Sequence, residues 1–197
     1  MRFETIISDD AFFNTHIRGT TGILGRIFGD EEFANIPPAV LEEAMRRGSA
    51  VHKAIEEFST TGARLTMRVE DLPYFESFMQ WYNKYNPEFV GAELKLLSER
   101  LGFKGVIDAL FIVDNTLVMC DYKTSSKLNM TKVTLQLNMY LALLEDSGLL
   151  DGFCLQITDL RVLQITKTKF KYVKVDIDKD LHRAVMKLYN LKVQHNE

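Results

Sequence analysis

Phe103 to Lys123 reads FKGVIDALFIVDNTLVMCDYK: two apolar runs either side of Asp114-Asn115. An Asp-Asn pair between such runs reads as a two-residue hairpin turn. Phe103–Val113 and Thr116–Lys123 are therefore expected to be antiparallel strands. With that turn Val113 faces Thr116, and pairing runs through Ile112–Leu117 and Leu110–Met119 to Asp108–Asp121. The two aspartates become direct cross-strand neighbours, with Cβ atoms roughly 4.5–5.5 Å apart. The rest of their face is Leu110, Ile112, Leu117 and Met119. Lys123 lies two residues beyond Asp121, so alternation places it on the same face. A single bulge would shift this register.

Two carboxylates opposed on an apolar face repel each other. A shared proton relieves the repulsion by raising one pKa. A divalent cation relieves it as well, and Mg²⁺ commonly takes one or two carboxylates plus water and substrate phosphate. With Lys123 beside them, such a set suits phosphodiester hydrolysis. The metal activates water and stabilises charge at phosphorus, and the lysine orients or helps deprotonate that water. Spacing alone fits equally an exposed Asp121–Lys123 pair with Asp108 at a strand edge.

Outward from the hairpin the periods change. Residues 1–36 suggest helical pieces interrupted by Gly19, Gly22, Gly25 and Gly29. Pro37-Pro38 opens a helix with Leu41, Met45, Gly48, His52 and Ile55 at helical spacing, which puts His52 on its buried stripe. Asp71 reads as the N-cap of a second helix, with Pro73 in its first turn. From Glu88, Val90, Ala92, Leu94 and Leu96 alternate as in a strand. Thr131–Asp146 is helical. Phe153–Ile157, Arg161–Thr166 and Phe170–Val175 are strand candidates, and Asp178 caps a last helix. Helices, a hairpin group, a helix, more strands and a helix predict a mixed α/β (α+β) fold, a central mixed sheet flanked by helices.

Composition narrows the class. The chain has 197 residues, 46% of them hydrophobic, and a net charge of -3. This suffices for one domain with a real core. It argues against a uniformly basic DNA-binding surface, though not against a basic groove. Two cysteines, Cys120 and Cys154, are too few for a disulfide framework. They favour a reducing compartment. No apolar run reaches signal-peptide or membrane-span length, so a cytoplasmic protein of a bacterial or phage-infected cell is expected.

Four motifs in order carry a family likeness. Gly48-Ser49-Ala50-Val51-His52, followed by Glu56, resembles a Gly-x-x-x-His helix. Gly105-Val106-Ile107-Asp108 and Asp121-Tyr122-Lys123-Thr124 resemble a catalytic core with Ile107 at the usual Pro position. Gln136-Leu137-Asn138-Met139-Tyr140 resembles a Gln-x-x-x-Tyr helix. Together they resemble the PD-(D/E)XK nuclease superfamily, RecB-like exonuclease branch, in its short stand-alone form. The resemblance implies a restriction-endonuclease-like core and one nuclease domain over 1–197. Its parts would be a helical N-terminal segment (1–47), a catalytic core (48–145) and C-terminal strands and helix (146–197). It implies Mg²⁺ or Mn²⁺ held by His52, Asp108, Asp121 and the Tyr122 backbone carbonyl. Lys123 would position the nucleophile, and Gln136 and Tyr140 would support the site or touch DNA. Glu93 resembles the acid preceding the core, with Glu99 as rival, and a solvated strand glutamate fits Glu93 as well. Gln136 and Tyr140, at i and i+4, equally fit a hydrogen-bonded helix-surface pair. Some members of the branch hold an iron–sulfur cluster on four cysteines, which two cannot do, so none is expected.

The function expected is a metal-dependent DNA exonuclease of recombination, repair or phage DNA processing. An endonuclease of the same fold and a silent DNA- or protein-binding module are the competing readings. DNA, as single strands or duplex ends, is the expected partner. A recombination or single-strand-binding protein and a second copy of the chain are further candidates. Arg46-Arg47 with Lys53, and Lys123, Lys127 and Lys132, flank the expected metal site and suit phosphate contacts better than Lys167, Lys169, Lys171 and Lys174. Phe12, Phe13, Tyr74 and Trp81 are candidates for base stacking, with core packing as the alternative.

Overall fold

The computed structural model describes residues 3–4, 7–29, 36–151 and 156–194. A six-stranded mixed sheet lies between two helical layers. The chain begins with α1 (Asp9–Phe13), β1 (Arg18–Gly19) and α2 (Thr20–Phe28), so a short strand interrupts the expected helical segment. α3 (Pro38–Thr61) starts on the Pro pair and ends at Gly62, whose φ of 75° closes it in the left-handed conformation. α4 (Leu72–Tyr85) follows, then β2 (Glu88–Ser98), β3 (Phe103–Val113) and β4 (Thr116–Lys123). α5 (Met130–Asp146) is capped by the Asn129 side chain, which accepts the Lys132 N–H. It crosses over to β5 (Asp159–Ile165), which pairs parallel with β4 and antiparallel with β6 (Phe170–Val175). α6 (Leu181–Gln194) closes the described chain. Of the strand expected at Phe153–Ile157, 153–155 lie outside the described residues, and the sheet is entered only at Asp159.

The two faces of the sheet have separate cores. Leu94, Leu96, Ile107, Leu110, Leu117, Met119 and Val162 pack with α2, α5 and α6. Ala109, Phe111, Val118, Cys120, Tyr122 and Leu163 pack with α3 and α4, around Phe78 and Trp81. Three of the four aromatic candidates for base stacking belong to these interiors: Phe12, Tyr74 and Trp81 are buried, and Phe13 alone is exposed. Their apolar area is worth more inside than in a wet groove.

The hairpin turns where expected. Asp114 and Asn115 have φ of 49° and 60°, as a type I′ turn requires. The register holds from Val113–Thr116 to Ala109–Cys120 and ends there, one row short of the expected Asp108–Asp121 pair. β1 takes the same edge of β3 further on, at Phe103 and Lys104. β4 thus diverges from β3 at the two aspartates. The face assignment also needs correction at this row. Ile107 and Leu110, three residues apart, face one core, while Ala109 faces the other. Opposite, Glu93 has a φ of 48°, rare for a residue with a side chain. β2 and β3 are both irregular where Glu93 and Asp108 stand.

Candidate active site

The strand divergence at Asp108 sets the geometry. With no ladder partner at this row, the Tyr122 N–H donates to Asp108 Oδ2 at 2.6 Å. A carboxylate thus stands where a backbone carbonyl would accept. α3 runs above, and its residue 52 falls over the gap. His52 Nε2 lies 3.0 Å from the Tyr122 carbonyl oxygen, and Nδ1 is 3.6 Å from Asp108 Oδ1. The left-handed turn at Glu93 brings that carboxylate to the same place. Ligand atoms of His52, Glu93 and Asp108 all lie within 4.8 Å of one another. Glu99, the rival, is exposed in the turn between β2 and β3 and belongs to no such group among the described residues.

Asp121 faces the α5 side, as the alternation of Leu117 and Met119 dictates. Its Oδ2 is 2.8 Å from Lys123 Nζ. One amide ties this pair to α5: Gln136 Oε1 accepts from Lys123 Nζ at 3.1 Å, and Nε2 donates to Asp121 Oδ1 at 3.1 Å and to Tyr140 Oη at 2.9 Å. Gln136 and Tyr140 are therefore not a surface pair; both are buried. Gly105 makes room for them. A Cβ there would stand 2.8 Å from Tyr140 Cδ1 and closer still to Cε1, so only glycine lets the ring lie on β3. The sequence motif contained Gly105, but its steric role needs the α5–β3 packing to be seen.

The electrostatics follow from burying these groups together. Burial pushes Asp121 up, with Asp108 adding to the effect against Lys123. Glu93 rises to about 7, chiefly by burial and then by Asp108. Burial opposes charge on His52, but Asp108, with help from Asp121 and Glu93, outweighs it and holds the imidazole at about 9. Burial also works against the Lys123 ammonium, yet Asp121 and then Asp108 prevail and raise its pKa. Asp108 is lowered despite burial, mainly by His52. A raised His52 pKa favours an imidazolium that offsets part of the cluster's negative charge. Its donor set of carboxylates, an imidazole and a carbonyl is one that divalent metals accept.

A cleft of about 750 Å³ opens onto the cluster, lined among others by Met45, Ser49, His52, Glu56, Glu93, Asp108 and Lys123. A smaller recess of about 280 Å³ adjoins it, sharing Thr21, Lys123 and Ser125 and reaching Lys127 and Lys132. Of the basic residues expected around His52, Lys53 lines the cleft. Arg46 is instead held by Asp71, through bonds of 2.8 and 2.9 Å, and by Glu43. Asp71 stands at the N-cap position of α4 but gives its carboxylate to Arg46 rather than to the helix. Arg47 lies over the Tyr74 ring at 5.0 Å. The buried Asp71 carboxylate thus competes with phosphate for the Arg46 guanidinium.

A half-buried lysine–carboxylate–imidazole group where two strands diverge is a site suited to hydrolysis at phosphorus. The family model of the PD-(D/E)XK nuclease superfamily matches residues 26–189, and the chain belongs to that superfamily. Membership makes it a nuclease, a hydrolase acting on nucleic acid, of a class that depends on divalent metal. Among solved structures, the chain is similar to the alkaline exonuclease LHK-Exo of Laribacter hongkongensis, with 9% identity, TM-score 0.49, and 95% of this chain and 92% of that one covered. It is also similar to the protein SSO0001, with 17% identity, TM-score 0.42, and 89% and 85% covered. Among curated proteins none matches. No helix of the described residues is long and apolar enough to cross a membrane.

Proposed function

We propose that this protein is a Mg²⁺- or Mn²⁺-dependent DNA exonuclease, acting in recombination, repair or processing of bacterial or phage DNA. The observation that carries the metal-dependent hydrolysis is the convergence of His52, Glu93 and Asp108 within 4.8 Å, beside the Asp121–Lys123 pair. The RecB-like motifs support DNA as substrate and digestion from an end. His52, Glu93, Asp108, Asp121 and the Tyr122 carbonyl are the groups that would hold the metal. When bound, it supplies Lewis acidity and a water of lowered pKa.

The protein's own residues do the rest. Lys123, held as ammonium by Asp121, orients the attacking water and meets negative charge developing on the phosphate oxygens. Its raised pKa suits electrostatic work and not proton abstraction. Gln136 fixes Lys123 and Asp121 to each other, and Tyr140 fixes Gln136. His52, which contacts the Tyr122 carbonyl, would have to give up that contact and its proton to serve as a ligand.

The test is degradation of end-labelled linear DNA beside a covalently closed circle, with Mg²⁺ or Mn²⁺ and with chelator. Metal-dependent loss of the linear DNA alone is expected. Nicking of the circle would make the protein an endonuclease, and binding without cleavage of either substrate would overturn the enzymatic reading.

A further inference from the structure

We infer that the β5–β6 hairpin carries a phosphate-binding track, continuous with the active site, that holds the nucleic-acid strand beyond the scissile bond. This rests on the nuclease reading and adds where the substrate runs. The chain is acidic overall, yet no Asp or Glu occurs between residues 122 and 144 or between 160 and 175. Those two segments hold Lys123, Lys127 and Lys132, and Arg161, Lys167, Lys169, Lys171 and Lys174.

Topology joins them. β4 and β5 are parallel, with Lys123 beside Gln164, and β6 is antiparallel, with Gln164 beside Lys171. Paired residues share a face, so Lys123, Gln164 and Lys171 form one row across three strands. Neighbouring strands lie about 4.8 Å apart, which puts the two lysine backbones about 10 Å from each other. Gln164 is buried and donates to the carbonyls of Ser125 and Ser126 at 2.7 and 3.0 Å. That ties the loop carrying Lys127 down over the row. Parallel pairing also sends the hairpin tip, with exposed Lys167 and Lys169, to the same end of the sheet as Lys123.

The other two cations of the segment do not belong to the track. Arg161 is bound by Asp159 and stacks on Tyr172 at 4.9 Å. Lys174 pairs with Arg161, three rows away and on the opposite face from Lys171. The exposed lysines Lys127, Lys167, Lys169 and Lys171, in segments of sequence without acids and leading away from Lys123, fit a polyanionic backbone. They carry no base-reading chemistry, so the track is expected to be indifferent to sequence.

The experiment is fluorescence anisotropy of a labelled oligothymidylate of about 30 nucleotides, in chelator so that nothing is cleaved, across a salt series. Each single-strand phosphate contact contributes about 0.7 to the slope of log affinity against log salt. The variant Lys167→Gln/Lys169→Gln/Lys171→Gln is expected to bind more weakly, with a slope smaller by about 2. Arg64→Gln/Lys187→Gln, which removes charge outside both segments, should leave the slope alone. Circular dichroism reports folding; should the triple variant not fold, Lys171→Gln alone is expected to lower the slope by about 0.7. Wild-type affinity and slope in the folded variant would overturn the track and point to an acidic protein at this patch. No binding by the wild-type chain at any salt would instead count against single-stranded DNA as the substrate.

Discussion

Gly105→Ala is the smallest change that should disable this protein, although the nearest atoms that a side chain at residue 105 would meet belong to Tyr140 and Thr20 and not to the proposed metal ligands. Its backbone is not in the left-handed region, so the cost of alanine is purely steric. The new methyl would meet Tyr140 Cδ1 at 2.8 Å and Thr20 Oγ1 at 3.2 Å, where ordinary contact begins at 3.4 Å. The ring must therefore retreat by at least 0.6 Å, against a core in which it is almost fully buried. Overpacking of this kind costs about 1–3 kcal/mol. For a domain of this length that lowers Tm by about 2–12 °C. Retreat of Tyr140 also weakens one of the two bonds that Gln136 Nε2 donates and loosens the amide that aligns Lys123 with Asp121. Ångström-scale misplacement costs up to about a hundredfold in rate, so kcat should fall between about tenfold and a hundredfold. Calorimetry and single-turnover cleavage measure the two effects. Adding Tyr140→Leu should recover part of the lost Tm and none of the turnover. A Gly105→Ala protein with wild-type Tm and kcat would refute the steric account, and a double variant that regains neither would place the clash elsewhere.

Lys123→Ala should remove turnover while Mn²⁺ binding, followed by calorimetry, stays within about threefold; a wild-type cleavage rate would dismiss the role given to Lys123. Metal uptake near pH 7.5 should expel about one proton from His52, held at about 9, and a smaller share from Glu93, held at about 7. Titration in two buffers of different ionisation enthalpy counts the protons, and His52→Gln should reduce their number. In chelator, stability should fall as pH rises. The folded pKa of His52 is raised from 6.5 to about 9, so its contribution is complete below 6.5 and is lost through about 9. Glu93 is raised from 4.5 to about 7 and acts in the same direction across its own window. The native state binds more protons throughout, so Tm measured from pH 5 to pH 9 should drop. A Tm that rises over that range would contradict the charge assignment.

Elements written in local chemistry were legible before any coordinates. Asp114-Asn115 dictates its turn because both residues tolerate positive φ, and Pro37-Pro38 opens α3 as its ring geometry demands. The spacing of Gln136 and Tyr140 placed them on one helical face. What escaped depends on partners distant in sequence. The β3–β4 ladder ends at Ala109–Cys120 because β4 diverges at the aspartates, and alternation cannot express that. Arg46 looked available for phosphate until Asp71, twenty-five residues on, was seen to hold it. The hairpin lysines looked remote because only the parallel β4–β5 pairing, made through α5, brings them to the site's end of the sheet.

Glu93 pays for its position with its backbone. A side chain in the left-handed region costs about 1–2 kcal/mol relative to an extended residue, and glycine at the same φ escapes that penalty. Removing a half-buried carboxylate that repels Asp108 would relieve the fold again. A selection for thermal robustness alone would thus drift toward glycine at residue 93 and discard an acid of the proposed metal cluster. Heat tolerance and the proposed hydrolysis place opposite demands on residue 93.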